Sequence, residues 1–148
     1  LVAASRESGH RIEASVPPAE AAYLGDERLI RLAIDHVVAN ALKFTPPDGT
    51  IRFMLDLEDD GRARIVVADT GIGIDPAEIE GCFEAFRQAD RGLERSHEGS
   101  GLGLTLARRF IALHQGSIFI QSQRGAGTSV VITLPGARRC GRAVRRSA

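Results

Sequence analysis

The sequence predicts an α/β two-layer sandwich, a mixed and mostly antiparallel sheet covered on one face by helices. Three observations carry that expectation. Residues 26–45 and 102–113 repeat apolar side chains at helical spacing. Residues 50–68 and 117–134 each read as a strand, a glycine-containing turn and a second strand. The strands and helices do not alternate in the regular rhythm of a parallel α/β protein.

Each element has a local reason. His10 to Val16 suits a short strand, and Pro17-Pro18 breaks it. From Asp26 to about Thr45, Ile30, Ile34, Val37, Val38, Ala41 and Leu42 line one face of a helix. Asp26 is its expected N-cap, and Pro46-Pro47-Asp48-Gly49 ends it. Thr50–Leu57 and Arg62–Ala68 form a hairpin across Glu58-Asp59-Asp60-Gly61. A turn at Thr70-Gly71-Ile72-Gly73 leads to a short helix near Pro76–Phe86. Residues 87–99 are charged and glycine-containing and read as a mobile loop. Leu102–Leu113 is a second helix, and Ser117–Gln123 with Thr128–Leu134 makes a second hairpin around Arg124-Gly125-Ala126-Gly127.

At 148 residues, 43% hydrophobic and 26% charged, the chain fits one domain able to bury a core without disulfides. The domain is expected over residues 1–135, with 136–148 a basic tail or linker without fixed structure. No apolar run reaches the roughly 20 residues of a membrane span, and no signal-peptide pattern opens the chain. It begins at Leu1 rather than methionine, as expected of part of a longer protein. Cys82 and Cys140 lie outside any metal-ligand spacing, which points to a reducing compartment and a cytoplasmic location. Net charge is zero, but five of the 19 basic residues (Arg138, Arg139, Arg142, Arg145 and Arg146) sit in the tail. The body is therefore acidic, which argues against a nucleic-acid-binding domain.

Four segments carry chemistry. On the first helix His36, Asn40 and Lys43 stand at i, i+4 and i+7 and so share one face. An amide oxygen suits Mg²⁺, and a lysine one turn later suits phosphate; on this helix alone, a solvated face is the simpler reading. In Ile65-Val66-Val67-Ala68-Asp69-Thr70-Gly71-Ile72-Gly73 an apolar strand delivers a carboxylate, and two glycines let backbone pass close to a flat ligand. An ionised aspartate only accepts hydrogen bonds, which suits the adenine amino group and opposes the guanine carbonyl. Gly99-Ser100-Gly101-Leu102-Gly103-Leu104 runs into a helix N-terminus, where free amides and the helix dipole suit phosphate. Neither a Walker A loop nor a Rossmann fingerprint is present. Gly125-Ala126-Gly127-Thr128 is either a plain hairpin turn or a support for adenine recognition near Asp69.

Taken in order, these segments resemble the N, G1, G2 and G3 boxes of sensor histidine kinases, within the superfamily that includes DNA gyrase B, the Hsp90 chaperones and MutL. Phe83-Glu84-Ala85-Phe86 resembles the F box between G1 and G2. Asn40-Ala41-Leu42-Lys43-Phe44-Thr45-Pro46 and Gly101-Leu102-Gly103-Leu104 are the closest to the kinase form, and the match covers roughly residues 10–135. The resemblance implies a histidine-kinase-like ATPase fold that binds ATP and Mg²⁺. It makes Asn40 the Mg²⁺ ligand, Lys43 a phosphate contact, and His36, Asn40 and Lys43 the catalytic set. Asp69 becomes the adenine-recognising carboxylate, with Gly71, Gly73 and Thr128 around the base and Phe44 in the same pocket. Gly99, Ser100, Gly101, Leu102, Gly103 and Leu104 would hold the phosphates, and residues 87–100, with Arg87 and Gln88, would form the lid. The implied partners are a separate dimerisation domain bearing the phosphoacceptor histidine and a response regulator. The parent would be a homodimer, membrane-anchored or not, and this domain alone a monomer.

Two departures stand out. His36 occupies the place of a first asparagine in kinases and of a glutamate base in the ATP-hydrolysing relatives, which disfavours water activation. Gln88 stands where the lid often carries an arginine, so Arg87, Arg91 or Arg95 is left to supply that charge. None of His10, His36, His97 and His114 is followed by the acceptor pattern Glu-[Leu/Phe]-Arg-Thr-Pro. An active catalytic domain is the leading expectation. The alternative is a nucleotide-binding pseudokinase that serves as an interaction module.

Overall fold

The computed structural model describes residues 9–16, 21–84, 101–136 and 138–139. Strand β1 (Arg11–Ser15) is followed by a two-residue strand, β2 (Ala21–Ala22), and then helix α1 (Glu27–Phe44). Strands β3 (Thr50–Leu57) and β4 (Ala63–Asp69) come next. After two 3-10 turns, Pro76–Glu78 and Glu80–Phe83, the chain reaches α2 (Gly103–Leu113). It closes with β5 (Ser117–Gln123), β6 (Gly127–Leu134) and a two-residue β7 (Arg138–Arg139).

The main sheet has the order β1-β3-β4-β6-β5. β3–β4, β4–β6 and β5–β6 pair antiparallel, whereas β1 pairs parallel with β3. Parallel neighbours cannot be joined by a tight turn, and α1 lies in the long connection between β1 and β3. Register puts Ile51, Phe53, Leu55 and Leu57 in phase with Ile65, Val67, Val130, Ile132, Leu134, Ile118 and Ile120. That face packs against Ala33, Val37, Val38 and Ala41 of α1 and Ala107 and Ile111 of α2. The opposite face shows Arg52, Met54, Arg64 and Phe119 to solvent. This is the expected two-layer, mixed and mostly antiparallel sandwich.

Local chemistry explains the helix ends. The Asp26 carboxylate caps α1, accepting from the amides of Arg28 at 2.9 Å and Leu29 at 3.2 Å. The Asp26 amide donates to His114 Nε2 at 2.9 Å, so the ring proton sits on Nδ1 and donates to the Phe110 carbonyl at 2.7 Å. The Tyr23 hydroxyl donates to the His114 carbonyl at 3.1 Å. The start of α1 is thereby tied to the end of α2.

Two local expectations differ from the structure. Residues 76–83 form two 3-10 turns rather than one short helix. The segment is too short to nucleate a helix by itself, and it bends to bury Phe83 in the core. β7 also starts inside the stretch read as a tail, where Arg138 and Arg139 pair with Ala22 and Ala21. A two-residue pairing leaves no periodicity in the sequence.

Candidate nucleotide site

β4 ends on Asp69, which register sets opposite Thr128 of β6 on the helix-covered face. Asp69 Oδ1 accepts from the Gly71 amide at 2.8 Å and the Thr128 amide at 3.2 Å. Oδ2 has no hydrogen-bond partner among the described residues. Burial pushes the carboxyl above its usual value, and the two amides oppose that push without cancelling it. A half-buried carboxylate with one committed oxygen and one spare is what an incoming amino group needs.

The glycines around Asp69 are there for space. A Cβ on Gly71 would strike the Phe44 carbonyl, and one on Gly73, at φ +68°, would strike the Gln123 carbonyl. Gly127, at φ +86°, has no room beside the carbonyl of Asp69. These close approaches let the Gly71–Gly73 turn lie across the end of the sheet. The Ile72 amide donates to the Phe44 carbonyl at 3.2 Å, and the Gly125 amide donates to the Ile72 carbonyl at 2.8 Å. The turn thus connects the end of α1 to the β5–β6 hairpin.

On α1, His36, Asn40 and Lys43 are all half-buried, as their shared face requires. Lys43 Nζ lies 4.9 Å from the Phe44 ring centroid. A Cβ on Gly103 would stand 3.5 Å from His36 Nδ1, so the ring faces the first turn of α2. That turn differs from the start of α1. Among the described residues no side chain caps it and its first turn has no acidic residue, whereas α1 has the Asp26 cap and Glu27. Gly101 adopts φ +67° just before it. An uncapped, acid-free N-terminus fits an anion.

The structure brings Asp69, Gly71, Gly73 and Thr128 into one cluster, with Phe44 joined through its backbone. It sets His36 against Gly103, and Leu102 and Leu104 flank that glycine at the start of α2. Arg87, Gln88, Gly99 and Ser100 lie outside the described residues, as do Arg91 and Arg95. The residues fit a nucleotide: a spare carboxylate oxygen and a glycine-lined turn lie at the C-terminal end of α1, and the first turn of α2 faces His36 on the same helix. For a metal ion, the described residues contain no group of three His, Cys, Asp or Glu side chains. The Asn40 side chain makes no hydrogen bond among them, and Mg²⁺ would need phosphate and water oxygens as well.

Three contributors were missed in the sequence. Ser122 bonds Ile74, Gly127 and Thr128 beside the Asp69–Thr128 pair. Gly127 has a steric role of its own, since only a residue without a Cβ fits against the Asp69 carbonyl. Thr105, buried in α2, donates to the Phe83 carbonyl at 3.0 Å and pins the F-box segment to α2. The readable signal for Ser122 was a polar residue in phase with Ile118 and Ile120.

Comparison with known proteins gives a consistent picture. Residues 25–138 match the family described as "Histidine kinase-, DNA gyrase B-, and HSP90-like ATPase". The chain is 40% identical over 131 residues to histidine protein kinase DivJ of Caulobacter vibrioides, covering 88% of this chain and 22% of that protein. It is 36% identical over 111 residues to sensor histidine kinase WalK of Bacillus subtilis, covering 74% of this chain and 18% of that protein. It therefore spans about a fifth of the length of these relatives. Among solved structures, the mycobacterial sensor histidine kinase MprB superposes with a TM-score of 0.78 at 30% identity, covering 94% of this chain and 90% of that one. Full-length ShkA in complex with AMPPNP gives 0.79 at 31% identity, covering 93% of this chain and 28% of that one. The chain belongs to the histidine kinase-, DNA gyrase B- and HSP90-like ATPase family and is homologous to the catalytic domains of sensor histidine kinases.

Proposed function

We propose that this domain binds ATP with Mg²⁺ and donates the γ-phosphoryl to a histidine on a separate dimerisation helix, for relay to a response-regulator aspartate. The observation that carries this reading is Asp69: a half-buried carboxylate whose Oδ1 is held by two backbone amides while Oδ2 is left to accept from adenine. The likeness to kinases that span far more than this domain supports the transfer step.

In this reading Asp69 Oδ2 accepts from the 6-amino group, and the Gly71–Gly73 turn lies along the base. The amides at the start of α2 hold phosphate oxygens, and Lys43 supplies a positive charge to them. Asn40 would present its amide oxygen to Mg²⁺, whose charge would offset that of the phosphates. His36, against Gly103, hydrogen-bonds near the phosphates or to Asn40 and activates no water. Catalysis then rests on positioning and charge neutralisation. The γ-phosphorus bonds to the acceptor imidazole nitrogen as its bond to the bridging oxygen breaks, and ADP leaves with that electron pair. The parent is a homodimeric sensor whose catalytic domains work on the cytoplasmic side. Among the described residues no helix is long and apolar enough to cross a membrane.

Calorimetric titration with a non-hydrolysable ATP analogue and Mg²⁺ is the first test. The chain should bind it, and Asp69→Asn and Asn40→Ala should weaken binding by about tenfold or more, the scale of one charge-assisted contact. Failure of the unaltered chain to bind would sink the reading. His36 in place of asparagine gives specific support to a second reading, a nucleotide-binding domain that docks without transfer. γ-Labelled ATP and a supplied dimerisation domain separate the two: label appears on the acceptor histidine only for an active kinase.

A further inference from the structure

Ser122, beside the Asp69–Thr128 pair, has a hydroxyl with three contacts, two of them of defined polarity. A serine hydroxyl has one hydrogen to give and two lone pairs to receive. The Ile74 amide, at 2.7 Å, can only donate to it. The Gly127 carbonyl, at 2.8 Å, can only accept from it, so the Ser122 hydrogen is committed there. The contact with Thr128 Oγ1 at 2.9 Å then requires Thr128 to donate. The opposite arrangement would leave oxygen lone pairs of Ser122 and Gly127 facing each other at 2.8 Å.

A consequence follows for the pocket. With its only hydrogen given to Ser122, Thr128 Oγ1 offers lone pairs alone. Its neighbour Asp69, when ionised, also offers only lone pairs, and the Thr128 amide joins the two residues through Asp69 Oδ1 at 3.2 Å. The side-chain edge at this end of the sheet is therefore all acceptor.

We propose that Ser122 is a specificity-determining positioning residue, which by taking the Thr128 proton makes the base pocket select a 6-amino purine over a 6-oxo purine. The inference rests on the proposed nucleotide-binding function and adds to it the residue that sets its base preference. A 6-amino group gives hydrogens to this edge; a 6-oxo group brings its own lone pairs and is repelled. Such a polar mismatch discriminates more strongly than shape can. Without Ser122 the Thr128 hydroxyl is free to rotate and donate, and the edge accepts either partner.

The test is parallel calorimetry with ATP and inosine triphosphate, which differ at the 6-position and carry the same triphosphate. The unaltered chain should prefer ATP. In Ser122→Ala the ratio of the two affinities should fall by about tenfold, the worth of one hydrogen-bond polarity. Ser122→Thr, which keeps the hydroxyl, should restore it. A ratio unchanged in Ser122→Ala overturns the inference, and so does equal weakening of both nucleotides, which is what simple loosening of the fold gives. Should Ser122→Ala fail to fold by circular dichroism, Thr128→Val in the Ser122 background carries the test. It removes the acceptor, so the ratio must fall there too, and an unchanged ratio overturns the inference. No ATP binding by the unaltered chain overturns the proposed function together with this inference. ATP binding with an unchanged ratio overturns this inference alone.

Discussion

At the Asp69 carboxyl, burial and hydrogen bonding act in opposite directions, and burial prevails. The folded-state pKa is raised, so the fold favours the protonated form. Any stability this group adds is present below its ordinary value and is lost as pH rises through the raised one. Asp69→Asn removes the buried charge while keeping an oxygen for the Gly71 and Thr128 amides. The variant is expected to melt at or above the unaltered apo chain near neutral pH, with the difference closing in acid; thermal melts across pH check this. Nucleotide affinity runs the other way, since the ionised form is the acceptor. It should fall as pH is lowered through the raised pKa, and the pH dependence should vanish in Asp69→Asn. Gly127 makes a second residue-scale case. Gly127→Ala places a Cβ against the Asp69 carbonyl at φ +86°, so a loss of roughly 1–3 kcal/mol or more in denaturant unfolding is expected, with loss of ATP binding. Asp69 was legible in the sequence because a carboxylate after an apolar run is unusual. Ser122 left a weaker signal, a polar residue in phase with Ile118 and Ile120 but set between two glutamines, and register is what assigns its face.

Among the elements, the two helices differ at their N-termini. α1 is closed by its own Asp26 carboxylate, while α2 is left without a side-chain cap. The first was readable from Asp26 and the apolar spacing that follows it. The use of the second was suggested by the glycines before it. What holds α2 in place is Thr105, whose hydroxyl donates to the Phe83 carbonyl, while Arg108 lies 5.1 Å from the Phe83 ring centroid. Thr105→Val keeps the shape and leaves that carbonyl without its partner. It should cost about 1–3 kcal/mol in chemical denaturation. It should also weaken ATP binding, because Phe83 and α2 flank the two ends of residues 85–100. ATP affinity equal to that of the unaltered chain would show that this pin does not serve the site. The segment at 76–83 shows the limit of local reading: a short helix is expected near Pro76–Phe86, but the chain forms two tighter turns that bury Phe83.

Across the whole molecule, one core joins both helices to one sheet face, and the site lies at one end of it. Ile51 and Ile132 have no solvent exposure. Truncating either to alanine should cost about 2–5 kcal/mol, read as a lower denaturation midpoint without a change in slope. ATP should recover part of that loss by mass action if it binds the folded state alone. The sequence by itself determined the two long helices, the two hairpins, the glycine turns and the carboxylate that ends β4. It could do so because periodicity, capping and positive φ are properties of neighbours along the chain. Only the tertiary structure decided that β1 runs parallel to β3, that Asp69 meets Thr128 across 59 residues, and that His36 faces Gly103. It also brought the Ser122 and Thr128 hydroxyls within 2.9 Å of each other. Those facts depend on strand order, register and helix packing, which are fixed by burying the two apolar faces against each other rather than by any local run of residues.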